Sequence, residues 1–240
     1  MKKILITGGA GFIGSNLADR LLKMGNSIVV IDNFNDFYDP AIKRHNVSHN
    51  LTNPDYRLVE GDITDKALID NIFKEEKFEM IVHLAARAGV RPSIKKPREY
   101  FETNVIGTIN LLEAMRQYGP NKLVFASSSS VYGNNPKVPF SETDLVDNPV
   151  SPYAASKKSC ELIASTYHGL YGFHIFAFRF FSVYGPRQRP EMAIASFAGK
   201  IIRGEEISLF GDGSSSRDYT YIDDIIDGLI SSLDKTCGFE

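Results

Sequence analysis

Cysteine is scarce in this sequence, with only Cys160 and Cys237 in a chain of 240 residues. So few thiols exclude a disulfide scaffold and a zinc cluster built from cysteines. Neither sign of charge is in excess, because 27 basic side chains stand against 29 acidic ones and the formal net charge is −2. We therefore expect no nucleic-acid partner, since such partners select for an excess of basic charge.

Long apolar runs are also missing. The run Ile4–Ile6 after the N-terminal lysines stops at Thr7 and is far too short for the apolar core of a signal peptide. No stretch reaches the ~20 apolar residues that a membrane span needs. We therefore expect a cytoplasmic protein that makes no membrane contact and keeps its thiols reduced.

Short, β-branched apolar runs alternate instead with segments of helical periodicity. The runs predict six strands, at Lys3–Thr7, Ser27–Asp32, Tyr56–Glu60, Met80–Leu84, Leu123–Ala126 and His174–Phe178. The helical segments between them are Ile13–Met24, Lys66–Lys74, Glu99–Tyr118 and Tyr153–Tyr171. Strands that are apolar on both faces are typical of a parallel sheet covered by helices on both sides. The predicted fold class is therefore α/β, a doubly wound parallel sheet.

The first predicted strand is followed by a glycine-rich turn that opens a helix. Gly8, Gly11 and Gly14 permit a tight turn, a close approach to a pyrophosphate and tight helix–strand packing, and the helix N-terminus attracts an anion. Asp32, 18 residues after Gly14, is placed to bind an adenosine ribose, and its charge would repel a 2′-phosphate. The pattern therefore predicts NAD rather than NADP as the cofactor. Neighbouring residues complete this predicted site: Phe12, Ile13, Asn33 and Asn35.

Tyr153 and Lys157 lie four residues apart and hence on one face of a predicted helix. A phenol with a pKa near ~10 is a poor base at neutral pH. A lysine ammonium beside it, together with the positive charge of oxidised nicotinamide, stabilises the phenolate. The pair is therefore a candidate for general acid–base catalysis.

The Gly-x-x-Gly-x-x-Gly spacing resembles that of the extended short-chain dehydrogenase/reductase family, which includes NAD-dependent sugar-nucleotide epimerases and dehydratases. Gly61-Asp62-Ile63 is similar to the segment that contacts adenine in this family, and His83-Leu84-Ala85-Ala86 to the stretch beside the nicotinamide. The resemblance adds five residues to the predicted cofactor site: Asp62, Ile63, Leu84, Ala85 and Ala86. His83 itself is interpreted as a hydrogen-bonded histidine at a strand end rather than a catalyst.

Four serines, 127–130, stand at the end of the fifth predicted strand, before Val131-Tyr132-Gly133. The resemblance implies that Ser128 is catalytic, its hydroxyl bridging the sugar O4 and the Tyr153 phenol. Related dehydratases and decarboxylases carry carboxyl groups where this chain has Ser129 and Ser130. The chain lacks those acids, and two hydroxyls there are able to hydrogen-bond a substrate carboxylate instead.

The segment Arg179–Ala193 is similar to a stretch of the UDP-glucuronate 4-epimerase subfamily, with Ser182 and Gln188 replacing its usual Thr and Gly. The resemblance implies that Arg189 binds the uronate carboxylate, for which a planar guanidinium is suited. Ser182 keeps the hydroxyl of the Thr that it replaces. The same resemblance adds one arginine after the fourth strand and one for the UDP pyrophosphate to the substrate site: Arg91 and Arg217.

The pattern of elements changes after Ser182. A loop at 184–190 precedes a predicted helix at Met192–Arg203, a strand at Ile207–Phe210, a loop at Gly211–Ser216 and a helix at Ile222–Leu233. We therefore predict a Rossmann NAD-binding domain with the catalytic residues over 1–182 and a small substrate cap over 183–240. We expect this cap to be incomplete, because members of the resembled family run several dozen residues longer.

The function that the resemblance implies is inversion of C4 of a UDP-sugar through a 4-keto intermediate, with UDP-glucuronate as the first candidate substrate. Two alternatives stay open: a neutral UDP-hexose 4-epimerase, and a fragment that binds NAD without turnover. A homodimer formed through the helices around 99–118 and 153–171 is also implied. Asp223 and Asp224 are expected to cap a helix, and no metal site is predicted.

Overall fold

A computed structural model describes residues 1–208, 212–213, 216–236 and 238–240 of the chain. The six predicted strands form one parallel sheet, made of β1 (Lys3–Thr7), β2 (Ser27–Asp32), β3 (Tyr56–Glu60), β4 (Met80–His83), β5 (Lys122–Ala126) and β6 (His174–Phe178). Their order is β3-β2-β1-β4-β5-β6. The order reverses between β1 and β4, and in sheets of this kind a ligand crevice lies at the carboxyl ends of the strands at that point.

Helices cover both faces of the sheet. They are α1 (Phe12–Lys23), α2 (Pro40–Ser48), α3 (Lys66–Glu75), α4 (Val90–Lys95), α5 (Pro97–Tyr100), α6 (Gly107–Tyr118), α7 (Pro152–Tyr171), α8 (Ala193–Ile202) and α9 (Ile222–Leu233). Ile4 and Ile6 of β1 pack in a core with α1 and α9, whereas Leu5 packs in a second core with α3, α6 and α7. Because alternate side chains of a strand point to opposite faces, both faces must be apolar. The predicted fold class is confirmed.

The predicted helix at Glu99–Tyr118 is divided in the structure. Between α5 and α6 the chain forms a π-helical stretch at Phe101–Ile106. The Asn104 carbonyl in this stretch accepts hydrogen bonds from Thr108 Oγ1 (2.5 Å) and Cys160 Sγ (3.2 Å). These polar contacts stabilise the wider turn, which apolar periodicity does not reveal.

Several short elements lie where the sequence analysis placed none. Besides α2 and α4, a 3-10 helix covers Ser129–Tyr132, and β7 (Ser182–Tyr184) pairs in parallel with β8 (Tyr219–Tyr221). In the predicted strand at Ile207–Phe210, residues 207 and 208 are irregular, and 209 and 210 lie outside the described residues. Three residues of the predicted loop at Gly211–Ser216 also lie outside them: 211, 214 and 215.

The segment after Ser182 does not stand apart from the sheet. α9 packs against α1, and its residues Ile226 and Leu229 are buried in the same core as β1. Asp223 and Asp224 lie in the first turn of α9, where their negative charges interact favourably with the helix dipole. The N-cap residue is Tyr221, so the prediction that these acids cap the helix was wrong. The domain boundary at residue 182 stays a prediction. Within the described residues, every helix is too short or too polar to cross a membrane.

Candidate functional site

A cavity of ≈ 270 Å³ opens at the carboxyl ends of β1, β4 and β5, where the strand order reverses. Its wall contains the three predicted catalytic residues, Ser128, Tyr153 and Lys157. Every predicted cofactor residue except Gly11 lines it as well. The fold thus brings together residues that lie up to 184 positions apart in the sequence, from Gly8 to Met192.

The glycine turn between β1 and α1 forms one end of the cavity. Gly8 has a φ of +70°, and a Cβ added there would lie 2.7 Å from the Ala85 nitrogen. A Cβ on Gly14 would lie 2.4 Å from the Gly8 carbonyl oxygen. α1 has Gly11 as its N-cap and no side-chain cap, so the first-turn N–H groups of the helix remain available to an anion.

Asp32 lies at the end of β2 in the same cavity. Its two carboxylate oxygens accept hydrogen bonds from the backbone N–H groups of Ala10 (3.0 Å) and Phe34 (2.9 Å). Burial raises the pKa of Asp32, although these hydrogen bonds and the charge of Lys43 act in the opposite direction. A carboxylate has about four acceptor positions, so Asp32 keeps capacity for ribose hydroxyls.

Lys43 is a cavity residue that the sequence analysis missed, because it lies on α2. Its ammonium donates to the Asn35 carbonyl oxygen (2.8 Å) and to Asn35 Oδ1 (3.0 Å), and burial lowers its pKa. The signal for α2 was present in Asp39-Pro40, since Asp39 accepts a hydrogen bond from the Ala41 N–H (2.9 Å) as N-cap. Lys43 thus adds positive charge beside Asp32.

The loops after β2 and β3 are tied together. Asn33 Nδ2 donates to Asp62 Oδ2 at 2.6 Å. Burial of Asp62 acts to raise its pKa, but hydrogen bonds from Thr64 and Asn33 outweigh burial and the pKa is lowered. Asp62 therefore remains a carboxylate that fixes the Asn33 side chain at the cavity wall.

Tyr153 and Lys157 project from the first two turns of α7, which Ser151 caps through a hydrogen bond from the Ala154 N–H (3.1 Å). The Lys157 ammonium is buried and donates to the Ala126 carbonyl oxygen at the end of β5 (2.7 Å). Ser128 follows two residues later, and its Oγ accepts hydrogen bonds from the Ser130 N–H (3.2 Å) and Ser130 Oγ (2.9 Å). The end of β5 therefore fixes both the lysine and the serine.

His83 lies at the end of β4 and is buried. Its Nδ1 is 2.6 Å from Thr7 Oγ1 and its Nε2 is 3.1 Å from Thr108 Oγ1. Burial, with a smaller contribution from the charge of Lys157, lowers the pKa of His83 to about 3. The interpretation of His83 as a hydrogen-bonded histidine at a strand end is confirmed.

Arg189 is the one predicted substrate residue that lines the cavity as the described residues define it. Its guanidinium lies 5.5 Å from the centroid of the Phe37 ring, and its Nε is 3.1 Å from Glu191 Oε1. The charge of Arg189 acts on the pKa values of Tyr38 and Lys43. Arg189 thus lies beside the loop that follows β2.

The other five predicted substrate residues are not in that wall. Ser129 and Ser130 are half-buried in the 3-10 helix next to Ser128, and Ser182 is half-buried in β7. Arg91 is exposed on α4, and Arg217 is exposed with its Nη1 donating to the Ser216 carbonyl oxygen (2.7 Å). The roles of these residues stay predictions.

Aromatic residues of the cavity wall were also missed. Phe37 and Tyr38 come from the loop after β2, and Phe180 and Phe181 follow β6. The Tyr38 hydroxyl is buried without a hydrogen-bond partner among the described residues, and burial raises its pKa to about 12. No sequence pattern indicates that Phe37 and Tyr38 face the cavity. Phe180 and Phe181, in contrast, belong to the segment Arg179–Ala193 that the sequence analysis had already singled out.

The segment between β7 and α8 is fastened to α1. Arg187, with a φ of +69°, forms an ion pair with Asp19 through Nη2 and Oδ2 at 2.7 Å. Asn16 Nδ2 donates to the Pro186 carbonyl oxygen (3.2 Å). Because Arg189 from the same segment lies over Phe37, this segment connects α1 to the loop after β2 along one side of the cavity.

The residues of the cavity fit a bound dinucleotide. The uncapped N-terminus of α1 suits a pyrophosphate, and Asp32 suits a ribose. Tyr153 and Lys157 share the cavity with Leu84, Ala85 and Ala86, which follow β4, and this apolar wall suits a nicotinamide ring. Among the described residues, no group of three His, Cys, Asp or Glu side chains is placed to hold a metal ion.

Comparison with known proteins relates this site to a family of enzymes. A 46% identical relative is UDP-glucuronate 4-epimerase 4 of Arabidopsis thaliana, with 96% of this chain and 54% of the relative aligned. UDP-glucuronate 4-epimerase of Thermodesulfobacterium geofontis is also 46% identical, with 98% of this chain and 72% of the relative aligned. The chain thus spans about half the length of the plant relative.

Two solved structures have the same fold. UDP-glucuronic acid 4-epimerase of Bacillus cereus, in complex with UDP-glucuronic acid and NAD, gives a TM-score of 0.91 at 36% identity, covering 98% of this chain and 74% of that one. UDP-glucose 4-epimerase of Thermotoga maritima, with UDP-glucose, gives a TM-score of 0.90 at 36% identity, covering 99% and 75%. The resemblance to sugar-nucleotide epimerases is confirmed.

The model of one family, described as the NAD dependent epimerase/dehydratase family, matches residues 4–238. That match takes in β2 to β6, all of β1 but its first residue, the glycine turn and the Tyr153–Lys157 pair. The chain belongs to the NAD dependent epimerase/dehydratase family.

Proposed function

We propose that the chain is an NAD-dependent 4-epimerase that interconverts UDP-glucuronate and UDP-galacturonate through a 4-keto intermediate. The observation that carries the proposal is the shared cavity, in which Ser128, Tyr153 and Lys157 lie with the glycine turn and Asp32. The relatives named UDP-glucuronate 4-epimerase, at 46% identity, support a uronate as the sugar.

Bound NAD would supply the hydride acceptor for C4 and the hydride donor for its return. Tyr153, as a phenolate, takes the proton of the sugar 4-hydroxyl directly or through Ser128. Lys157 lies one helical turn after Tyr153, and its ammonium is held by the Ala126 carbonyl. The positive charge of Lys157 stabilises the Tyr153 phenolate. After the 4-keto sugar has turned its other face, Tyr153 returns the proton to O4.

The carboxylate of the substrate sets a second requirement. A 4-keto uronate is a β-keto acid and loses CO₂ unless its carboxylate is held in an unreactive pose. Ser129 and Ser130 directly follow the catalytic serine, and neither carries a carboxyl group that would repel the uronate. To donate to the uronate, the Ser130 hydroxyl has to turn from Ser128 Oγ, to which it donates at 2.9 Å. Arg189 contacts Glu191 through Nε, and a guanidinium has further donors for the uronate.

A neutral UDP-hexose is the second candidate substrate. The solved UDP-glucose 4-epimerase matches this chain at the same 36% identity as the solved UDP-glucuronic acid 4-epimerase. A fragment that binds NAD without turnover also stays open, because the chain spans about half the length of the plant relatives.

We further propose a homodimer that forms through α6 and α7. Apolar side chains are exposed on α7 at Leu162, Leu170 and Tyr171, and on the π-helical stretch before α6 at Phe101 and Ile106. Burying such side chains between two copies favours association. Light scattering after size exclusion would give the mass of two chains. The cytoplasmic location and the absence of nucleic-acid, membrane and metal partners stay predictions.

Product analysis tests the proposed function. The chain is incubated with NAD and, separately, UDP-glucuronate and UDP-glucose, and products are separated by chromatography. We expect UDP-galacturonate from the first, and a UDP-pentose as the main product would contradict the assignment of Ser129 and Ser130. Arg189→Ala is expected to slow turnover of the uronate and to spare a neutral sugar. Tight NAD binding without any product would favour the fragment.

A further inference from the structure

Glu161 is a buried acid on α7 that the proposed mechanism does not use. It lies one turn after Lys157, and only 4% of it is exposed. Its Oε1 accepts a hydrogen bond from Ser127 Oγ at 2.5 Å. Ser127 immediately precedes the catalytic Ser128, so α7 contacts the end of β5 at two successive residues: Ala126 through Lys157, and Ser127 through Glu161.

Arg179, just after β6, keeps this acid paired. Its Nε and Nη2 donate to the two carboxylate oxygens of Glu161, each at 3.0 Å. Its Nη1 lies 3.3 Å from the Tyr132 hydroxyl and 3.2 Å from the Glu142 carbonyl oxygen. A two-pronged guanidinium contact satisfies a carboxylate that would otherwise be costly to bury. The Glu161–Arg179 pair thus connects α7 to the carboxyl ends of β5 and β6.

The consequence concerns the hydroxyl of Ser128. Ser127 and Ser128 are consecutive, so fixing the Ser127 side chain limits how far the Ser128 backbone is able to move. Ser128 Oγ is fixed from the other side by the Ser130 N–H. Neither Glu161 nor Arg179 lines the cavity as the described residues define it, so neither is placed to touch a sugar or a cofactor there.

We propose that Glu161, held by Arg179, is a positioning residue, which acts through Ser127 to hold the Ser128 hydroxyl in place relative to Tyr153. The inference rests on the proposed epimerase function. Displacement of a catalytic group by about 1 Å is able to slow an enzyme by about 100-fold. Ser127 itself lines the cavity, but its hydroxyl donates to Glu161, so loss of that contact is expected to lower kcat far more than it changes KM.

The test compares Ser127→Ala with Ser159→Ala in the full chain. Ser159 is a matched control, since it is a half-buried serine on α7 whose hydroxyl donates to the Ala155 carbonyl (2.9 Å), away from the cavity. We expect Ser127→Ala to lower kcat by about ten- to a hundred-fold, with KM, NAD affinity and melting temperature close to those of Ser159→Ala. A kcat equal to that of the control, or a parallel loss of NAD affinity and melting temperature, would overturn the proposal.

A conservative variant separates positioning from general stability. Glu161→Gln keeps one oxygen for the Ser127 hydroxyl, whereas Glu161→Ala keeps none and leaves the half-buried Arg179 without its carboxylate partner. We expect the glutamine variant to recover part of the kcat lost in the alanine variant. Equal kcat values in two variants that are both folded would overturn the proposal, and if the alanine variant does not fold, Ser127→Ala decides.

Amide hydrogen exchange makes the inference independent of turnover. The N–H groups of Ser130 and Val131 donate to Ser128 Oγ (3.2 Å) and to the Ser128 carbonyl (3.1 Å). In Ser127→Ala these amides are expected to exchange about fivefold faster than in Ser159→Ala. If the unaltered chain turns over no UDP-sugar, the proposed function fails. The exchange experiment still decides the positioning of Ser128: faster exchange in Ser127→Ala would support it, and unchanged exchange would overturn it.

Discussion

Gly14 is the glycine of the turn at which a side chain has least room. A Cβ there would lie 2.4 Å from the Gly8 carbonyl oxygen and 2.7 Å from the Gly9 Cα. Both neighbours are backbone atoms in the turn between β1 and α1, so neither is able to swing aside as a side chain does. Gly14→Ala therefore has to push α1 away from the turn, by about 1 Å if an ordinary contact is to be restored.

The expected loss combines two opposing effects. Alanine is better than glycine inside a helix by about 1 kcal/mol, which favours the variant. Overpacking of a closely packed region costs about 1–3 kcal/mol, and a clash with backbone lies at the upper end of that range. We expect Gly14→Ala to lower the free energy of unfolding by about 2 kcal/mol, and to weaken NAD binding because the helix N-terminus moves.

Gly169 provides the matched control. It is an exposed glycine in α7, and a Cβ there would have no neighbour within 4 Å. Gly169→Ala is expected to raise the free energy of unfolding by about 0.5–1 kcal/mol. Urea denaturation of the two variants and the unaltered chain measures the difference, and calorimetric titration with NAD measures the affinity. If Gly14→Ala is as stable as Gly169→Ala, the close contact has no energetic weight and the reasoning is wrong.

Three further predictions concern polar side chains of the cavity and the interior. Tyr153→Phe is expected to lower epimerisation at least 100-fold with NAD affinity unchanged, and residual turnover near that of the unaltered chain would exclude Tyr153 as the base. Burial lowers the pKa of His83 from 6.5 to about 3, so the unfolded chain binds the extra proton and the free energy of unfolding falls as the pH drops from 6.5 towards 3. Urea titrations at several pH values should show a shallower fall for His83→Asn. Lys122→Met removes the donor that the Leu233 carbonyl accepts at 2.5 Å at the end of α9, and should cost about 2 kcal/mol, with faster amide exchange in that turn.

The sheet was predictable because most of its strands are buried on both faces. Four of the six strands begin and end where the apolar runs do, and the glycine turn and Asp32 lie at the carboxyl ends of β1 and β2 as their spacing indicates. The pair of Tyr153 and Lys157 was predictable for a similar reason, since helical spacing alone fixes their common face. These features depend on neighbours in sequence or on a repeated pattern.

The irregular parts of the site were not predictable in this way. Arg189 lies over Phe37, 152 residues earlier in the chain, and nothing local to either residue indicates that contact. The pairing of β7 with β8 is another long-range contact between strands of three residues. The π-helical stretch around Asn104 is stabilised by a hydrogen bond from the Cys160 thiol of α7, and apolar periodicity does not indicate such a contact. Residues that meet only through tertiary packing leave no periodic signal.

The length of α7 has a consequence for how such an enzyme is able to change. Twenty residues of unbroken helix carry Tyr153, Lys157 and Glu161 on one face, so a single rigid element sets the spacing of the proposed catalytic pair and of the proposed positioning residue. Residues expected to recognise the sugar stand on loops and short elements instead, as Arg189 does. Exchange of those loops between relatives would alter which sugar is accepted and leave the proposed acid–base pair in place. New substrate specificities are therefore able to arise through changes in the loops, while α7 stays the same.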